Sequence, residues 1–334
     1  MRLLALAAAL VFSASALAQK ATPIRFALDW RFEGPAAPYF VAIDKGYYKA
    51  EGLDVTIDPG SGSVEGINRV ASGAYEMGFA DINSLVKYRD NPRNLQVKAV
   101  MMVYDTPAFS IVALKKSGIK APKDLEGKIL GAPAPDGAYA QWPIFVKANG
   151  IDASKVRIEN VGFPVREPML AQGKVDAITG FWFSSYMNLR ANNVAADDIV
   201  VLHMRDYGVD LYGNVLIANP DVMRFSPKAV SGFVKATIRG IQDTIKNPDA
   251  AIDSLMKRNP IAKRDVELER LKLSLSKNFV TPDVQKNGLG AVDVKRLEKS
   301  FDQIGLTFQY TNKPKAADIF TAQFLPAREQ RLVK

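Results

Sequence analysis

Residues Ala27 to Val55 read ALDWRFEGPAAPYFVAIDKGYYKAEGLDV, and this stretch decides the fold. It begins at the end of a strand, passes through a wide polar and aromatic turn, enters a helix over about Ala36 to Lys45 and leads into a second strand, Asp54-Val55-Thr56-Ile57. Gly46 stands where the helix needs a residue tolerant of left-handed backbone, so it is expected to close it. The turn carries Asp29, Trp30, Phe32 and Glu33. Aromatics and acids mixed in one turn make poor core material, and α/β sheets bind ligands beyond the carboxyl ends of their strands. These four residues are therefore candidate ligand contacts.

The pattern repeats downstream. After the second strand, Asp58-Pro59-Gly60-Ser61-Gly62-Ser63 leads into a helix over Val64 to Ser72. Such a loop offers backbone N–H groups and hydroxyls at a helix N-terminus, which makes Gly62 and Ser63 candidates. It lacks the G-K-[ST] of a phosphate loop and the spacing of a dinucleotide fingerprint. Tyr75 to Ala80 is a third strand, and Asp81-Ile82-Asn83-Ser84 opens the next helix. Asp81 suits an N-cap; capping and ligand contact are equal alternatives for it, and Asn83 is a candidate beside it. A fourth strand runs over Val97 to Tyr104, whose terminal Tyr104 is a further candidate. Three βα units in about eighty residues predict a parallel, doubly wound sheet.

A second βα series begins near Lys123. Ala132 to Ala140 is a Pro/Gly loop holding the candidates Asp136 and Tyr139, and Gln141 to Asn149 is a helix closed by Gly150. Strands follow at Val156 to Asn160 and Asp176 to Gly180, with a short helix at Glu167 to Gln172 between them. Phe181-Trp182-Phe183-Ser184-Ser185-Tyr186 comes next, four aromatics in six residues at a strand-to-helix junction. Helical spacing sends Trp182 and Tyr186 to one face and Phe183 to the side; core packing claims some of them, and Trp182 and Phe183 are candidate ligand neighbours. Ile199 to His203 is a strand, and Tyr212 to Ala218 another, with Tyr212 a candidate at its start. From Pro220 the pattern is helical almost to the end. His203 is the only histidine and there is no cysteine, which excludes the common His/Cys zinc sites. No metal, no cofactor and no catalytic constellation is expected.

The run K-G-Y-Y-K-A-E-G-L-D-V, with L-D-W before it and S-G-A-Y-E-M-G-F-A-D after, resembles the opening of the solute-binding proteins of ABC importers. The branch is the one that includes receptors for nitrate, sulfonates, taurine and thiamine pyrimidine precursors. D-L-E-G-K-I-L-G at Asp124 to Gly131 is similar to a further motif of that family, and the likeness extends more loosely over the rest of the chain. The resemblance implies an α/β, two-lobed periplasmic binding protein fold (type II), with two doubly wound sheets joined by a two-segment hinge. Lobe one would take residues 19–108 and 212–334, and lobe two residues 109–211. It implies a small-molecule ligand held between the lobes, delivery to a permease in the inner membrane, and no enzymatic activity. A related enzyme that makes the thiamine pyrimidine uses histidine and cysteine residues absent here. Pyrimidine-precursor receptors follow the tryptophan matching Trp182 with an acid a few residues later; Phe183 to Asn188 contains none.

The ligand class stays open between two readings. The aromatics and acids favour an aromatic or heterocyclic solute. The glycine-serine loop, with Arg31 and Arg166 as candidate cations, favours a small anion such as a sulfonate, taurine, nitrate or a carboxylate. Residues 1–18 read as a signal peptide, with Arg2, an apolar run and Ala16-Leu17-Ala18 before Gln19. Without cysteine there is no lipid anchor, so an exported, periplasmic monomer is expected. Net charge is +9 over the whole chain, but its basic residues are interspersed with acids, and nucleic acid is not an expected partner.

Overall fold

The computed structural model describes residues 21–333, so the signal peptide expected at 1–18 lies outside the described residues. Strands β1 (Thr22–Ala27), β2 (Leu53–Asp58), β3 (Met77–Asp81) and β4 (Lys98–Met102) belong to the first sheet. The second takes β5 (Phe109–Leu114), β6 (Ile129–Gly131), β7 (Arg157–Glu159), β8 (Ala177–Phe181) and β9 (Ile199–His203). β10 (Asn214–Ala218) then returns to the first. The orders are β2-β1-β3-β10-β4 and β7-β6-β8-β5-β9, giving two lobes, each an α/β layer structure.

Each of the expected parallel, doubly wound sheets also carries one antiparallel strand. β1, β2 and β3 are parallel, as are β6, β7 and β8, but β10 is antiparallel to β3 and β4, and β5 to β8 and β9. In each sheet the odd strand is the one the chain enters after crossing from the other lobe, which reverses its direction. Periodicity carries no such information. β5 and β10 are buried at every position, which is how a strand covered on both faces reads.

The two crossing segments lie side by side. The Gly213 N–H donates to the Tyr104 carbonyl at 2.9 Å, and the Asn214 carbonyl accepts from the N–H groups of Val103 and Tyr104, both at 2.9 Å. A side chain at 213 would start 2.8 Å from the Tyr104 carbonyl oxygen, so only glycine lets the strands come this close. Local signals hold where chemistry is local. Gly46 has φ 69° at the end of helix Ala37–Asp44, and Asp81 caps helix Ile82–Arg89 by accepting from the N–H groups of Asn83 and Ser84. The long helix Pro227–Lys246 buries Phe233, Val234, Ile238 and Ile241 against the first lobe. Among the described residues no helix is long and apolar enough to cross a membrane.

Candidate functional site

A cavity lies between the lobes where the parallel strands of both sheets end. Asp29 and Trp30 follow β1, Gly62 and Ser63 follow β2, Asp136 follows β6, Phe163 follows β7, and Phe181 ends β8; all line it. The space between its walls, counting the open mouth, is about 660 Å³. Leu28, Tyr39, Phe79, Tyr104 and Phe183 complete much of the apolar wall.

The lobes meet around this space. Trp30 packs edge-on against Phe163 of the second lobe with centroids 4.6 Å apart, and the Arg166 guanidinium lies 5.7 Å from the Trp30 ring. The Ser184 hydroxyl donates to Glu33 Oε2 at 2.7 Å across the cleft. Arg270, from helix Arg264–Ser274, sits 3.2 Å from Glu33 Oε2, donates to the Ser184 carbonyl and Asn188 Oδ1 at 3.1 Å each, and pairs with Glu267 at 3.0 Å. Gly62, with φ 107°, brings its backbone so near the second lobe that a Cβ would start 2.6 Å from the Pro135 carbonyl oxygen.

The charged groups are largely matched within the protein. Asp29 is buried, with Oδ2 accepting from Asn214 Nδ2 at 2.7 Å and from the Ser63 hydroxyl at 3.2 Å. Burial pushes its carboxyl up to about 7, against these two hydrogen bonds. Asp136 accepts from the Thr179 hydroxyl at 2.8 Å; burial raises it too, opposed by the Arg166 charge. Arg166, 2% exposed, donates to Glu167 Oε1 at 2.6 and 2.9 Å and lies 4.0 Å from Asp136. It is thus neutralised before any ligand arrives. The wall carries Asp29, Glu33 and Asp136 against Arg31 and Arg166, an excess of acid.

Of the sequence candidates, Asp29, Trp30, Glu33, Gly62, Ser63, Tyr104, Asp136 and Phe183 line the cavity, and six do not. Trp182 is 8% exposed; its indole N–H donates to Asn278 Oδ1 at 3.1 Å and its ring packs edge-on against His203. The next residue, Phe183, takes the wall position, because one step along a helix turns about 100°. Asp81 is buried as a cap, and Asn83 holds Asp81 Oδ1 and the Tyr212 carbonyl at 2.7 Å each. Tyr212 is buried under Arg296 and accepts from the Asp293 N–H. Phe32 packs on Phe40, and Tyr139 packs half-buried against the core of the other face.

Part of the glycine-serine loop is tied into the protein. The N–H groups of Gly60 and Gly62 donate to the Trp30 and Asp29 carbonyls, and that of Ser61 to Glu65. The Ser63 hydroxyl is committed to Asp29 and to the Asp81 N–H. Through Gly60 and Gly62 the loop braces the Asp29–Trp30 turn. Reading by sequence missed Tyr39 and Phe79 in the first lobe, Phe163 in the second, and Arg270, which lies far along the chain from Glu33. Only Phe163, in a Phe-Pro loop after a strand, carries a local signal.

Comparison with known proteins agrees with this architecture. The chain is 29% identical over 259 residues to the formylaminopyrimidine-binding protein of Halalkalibacterium halodurans, covering 75% of this chain and 76% of that one. It is 28% identical over 297 residues to the riboflavin-binding protein RibY of Chloroflexus aurantiacus, covering 87% and 82%. Other matching relatives are named 4-amino-5-hydroxymethyl-2-methylpyrimidine phosphate synthase. Among solved structures, the alkanesulfonate-binding protein SsuA of Xanthomonas axonopodis pv. citri bound to MOPS superposes with a TM-score of 0.68 at 13% identity, over 90% of this chain and 99% of that one, a likeness of fold. The model of the NMT1/THI5 like family matches residues 35–251, well over half of the chain, and the chain belongs to that family.

Proposed function

We propose that this chain is the exported solute-binding component of an ABC importer, and that it closes over a small, flat heterocycle bearing N–H donors. The observation that carries this reading is the cavity itself: aromatic walls from both lobes around buried carboxylates at the strand ends. Aromatic faces stack on rings, and carboxylates accept from ring-borne N–H groups. The names of the two binding-protein relatives agree in chemistry, since formylaminopyrimidine and riboflavin are both heterocycles.

The runner-up is a small anion. Arg31 and Arg166 in the wall favour it. The balance goes the other way because Arg166 is held by Glu167 and the N–H groups of Gly60, Ser61 and Gly62 are already bonded. A catalytic role finds little support, since His203 stands outside the cavity wall, against Trp182. The accompanying assignments are lobe one at residues 19–108 and 212–334, lobe two at 109–211, cleavage after Ala18, and a monomer that hands its solute to a permease.

Thermal melts of the ligand-free protein against aminopyrimidines, flavins, sulfonates, taurine, nitrate and carboxylates test the reading. A ligand at a hundred times its Kd adds about 2.7 kcal/mol to stability. A shift with a heterocycle is expected; shifts confined to the anions would overturn it.

A further inference from the structure

Asp29, Tyr39 and Tyr104 of the first lobe all line the cavity. Tyr39 is 2% exposed, and its ring is gripped by Phe26 at 5.0 Å and Phe79 at 6.0 Å. Its hydroxyl has no hydrogen-bond partner among the described residues. Native proteins leave few buried polar atoms in that state, because an unmade bond costs the full desolvation of the group. The hydroxyl lies near enough to Tyr104 and Asp29 to feel their charge. Burial raises it well above its ordinary pKa, and the Tyr104 and Tyr48 hydroxyls and the Asp29 carboxylate raise it further. Asp29 receives both its side-chain hydrogen bonds, from Asn214 and Ser63, on Oδ2. That leaves Oδ1 without a side-chain donor among the described residues.

We propose that Asp29 and Tyr39 together read one edge of the solute, on which an N–H donor stands next to a ring nitrogen or carbonyl acceptor. The N–H donates to Asp29 Oδ1, and the neighbouring acceptor receives the Tyr39 hydroxyl proton. Both groups belong to the first lobe, so this edge is recognised before the second lobe closes. The amine beside a ring nitrogen in an aminopyrimidine has this pattern, and so does the imide edge of a flavin. A sulfonate or nitrate presents acceptors alone and leaves Asp29 opposed. The inference rests on the solute-binding reading above and specifies its ligand chemistry.

Calorimetric titration of the mature protein tests it with two probes, 4-amino-5-hydroxymethyl-2-methylpyrimidine and riboflavin. Each is paired with a counterpart whose N–H groups on that edge are methylated. At least one probe is expected to bind, with its methylated counterpart at least about tenfold weaker, the scale of a lost charge-assisted hydrogen bond. Asp29→Asn should erase that preference. Tyr39→Phe should weaken the binding probe about tenfold while leaving the ligand-free protein at least as heat-stable, because it removes an unpartnered hydroxyl. A supporting ring would instead lose stability with affinity intact. If a probe binds and the preference survives in Asp29→Asn, or Tyr39→Phe binds it as tightly as the wild type, the edge-reading pair is refuted and the solute-binding reading stands. If neither probe binds the wild type, both fall.

Discussion

Ser184→Ala should loosen closure of the lobes. The hydroxyl is the shortest hydrogen bond made across the cleft to Glu33, at 2.7 Å. Hydrogen bonds to a charged group contribute about 1.5–3 kcal/mol when both partners are buried. Here both partners regain water when the lobes part, so the lower end applies, about 1.5 kcal/mol, or roughly a tenfold change in the ratio of closed to open forms. Arg270 remains 3.2 Å from Glu33 Oε2, so the carboxylate is not stranded and the fold should survive. If the ligand-free protein is mostly open, apparent affinity falls by the same factor, since only the closed form binds fully. The chain has no cysteine, so Asn192→Cys and Lys228→Cys, one exposed site on each lobe, give a unique pair for distance measurement by spin labels. The expected result is a closed population reduced about tenfold at subsaturating ligand, alongside a matching loss of affinity by calorimetry. An unchanged distance distribution with unchanged affinity would refute the reasoning. A loss of affinity at an unchanged closed fraction would mean that Ser184 acts by touching the solute.

Three further outcomes are expected. Trp30→Ala should weaken solute binding by one to two orders of magnitude, about 1.4–2.8 kcal/mol, whereas Trp182→Ala should cost about 3–5 kcal/mol of stability as a core truncation with affinity nearly intact; calorimetry beside melting curves separates the two, and the reverse pattern would count against the cavity wall drawn here. Asp29→Asn should stabilise the ligand-free protein at pH 8 and not at pH 4. The native carboxyl titrates at about 7 against 3.8 unfolded, so between those values the native state holds a proton that the unfolded state has lost, and stability falls as pH rises, by at most about 4 kcal/mol; parallel pH–stability curves for the two proteins would contradict it. Gly62→Val should hold the lobes apart, since its Cβ would start 2.6 Å from the Pro135 carbonyl oxygen at a φ of 107°; small-angle scattering that showed wild-type compaction with ligand would exclude such a wedge.

What the chain discloses by itself follows the range of the interactions involved. The helix end at Gly46 and the Asp81 cap are settled within a few residues, and each was legible. The choice between Trp182 and Phe183 was not, because both lie at one strand-to-helix junction and only the partners His203 and Asn278 claim the indole. The glycine-serine loop looked like a set of free donors, but the Trp30 and Asp29 carbonyls, some thirty residues earlier, accept the N–H groups of Gly60 and Gly62. Glu33 looked like a ligand contact alone, whereas Arg270 and Ser184 make it part of the seam between lobes. The direction of β5 and β10 was also hidden, since a fully buried strand has no alternation to reveal its neighbours.

The insertion of β10 between β3 and β4 has a consequence for how the chain matures. A polypeptide emerging amino end first presents β1 to β4 early, yet β3 and β4 are not neighbours in the sheet, and each awaits a partner more than a hundred residues downstream. Until Asn214–Ala218 arrives, a slot one strand wide stays open, with unpaired N–H and C=O groups on both sides. Exposed edges of this kind invite pairing between chains, and incomplete sheets are where large proteins aggregate. The second sheet has no such wait, because β5 to β9 are consecutive in sequence. The lobe that is synthesised first is therefore completed last, and the nascent protein depends most on protection from its neighbours while the return strand is still missing.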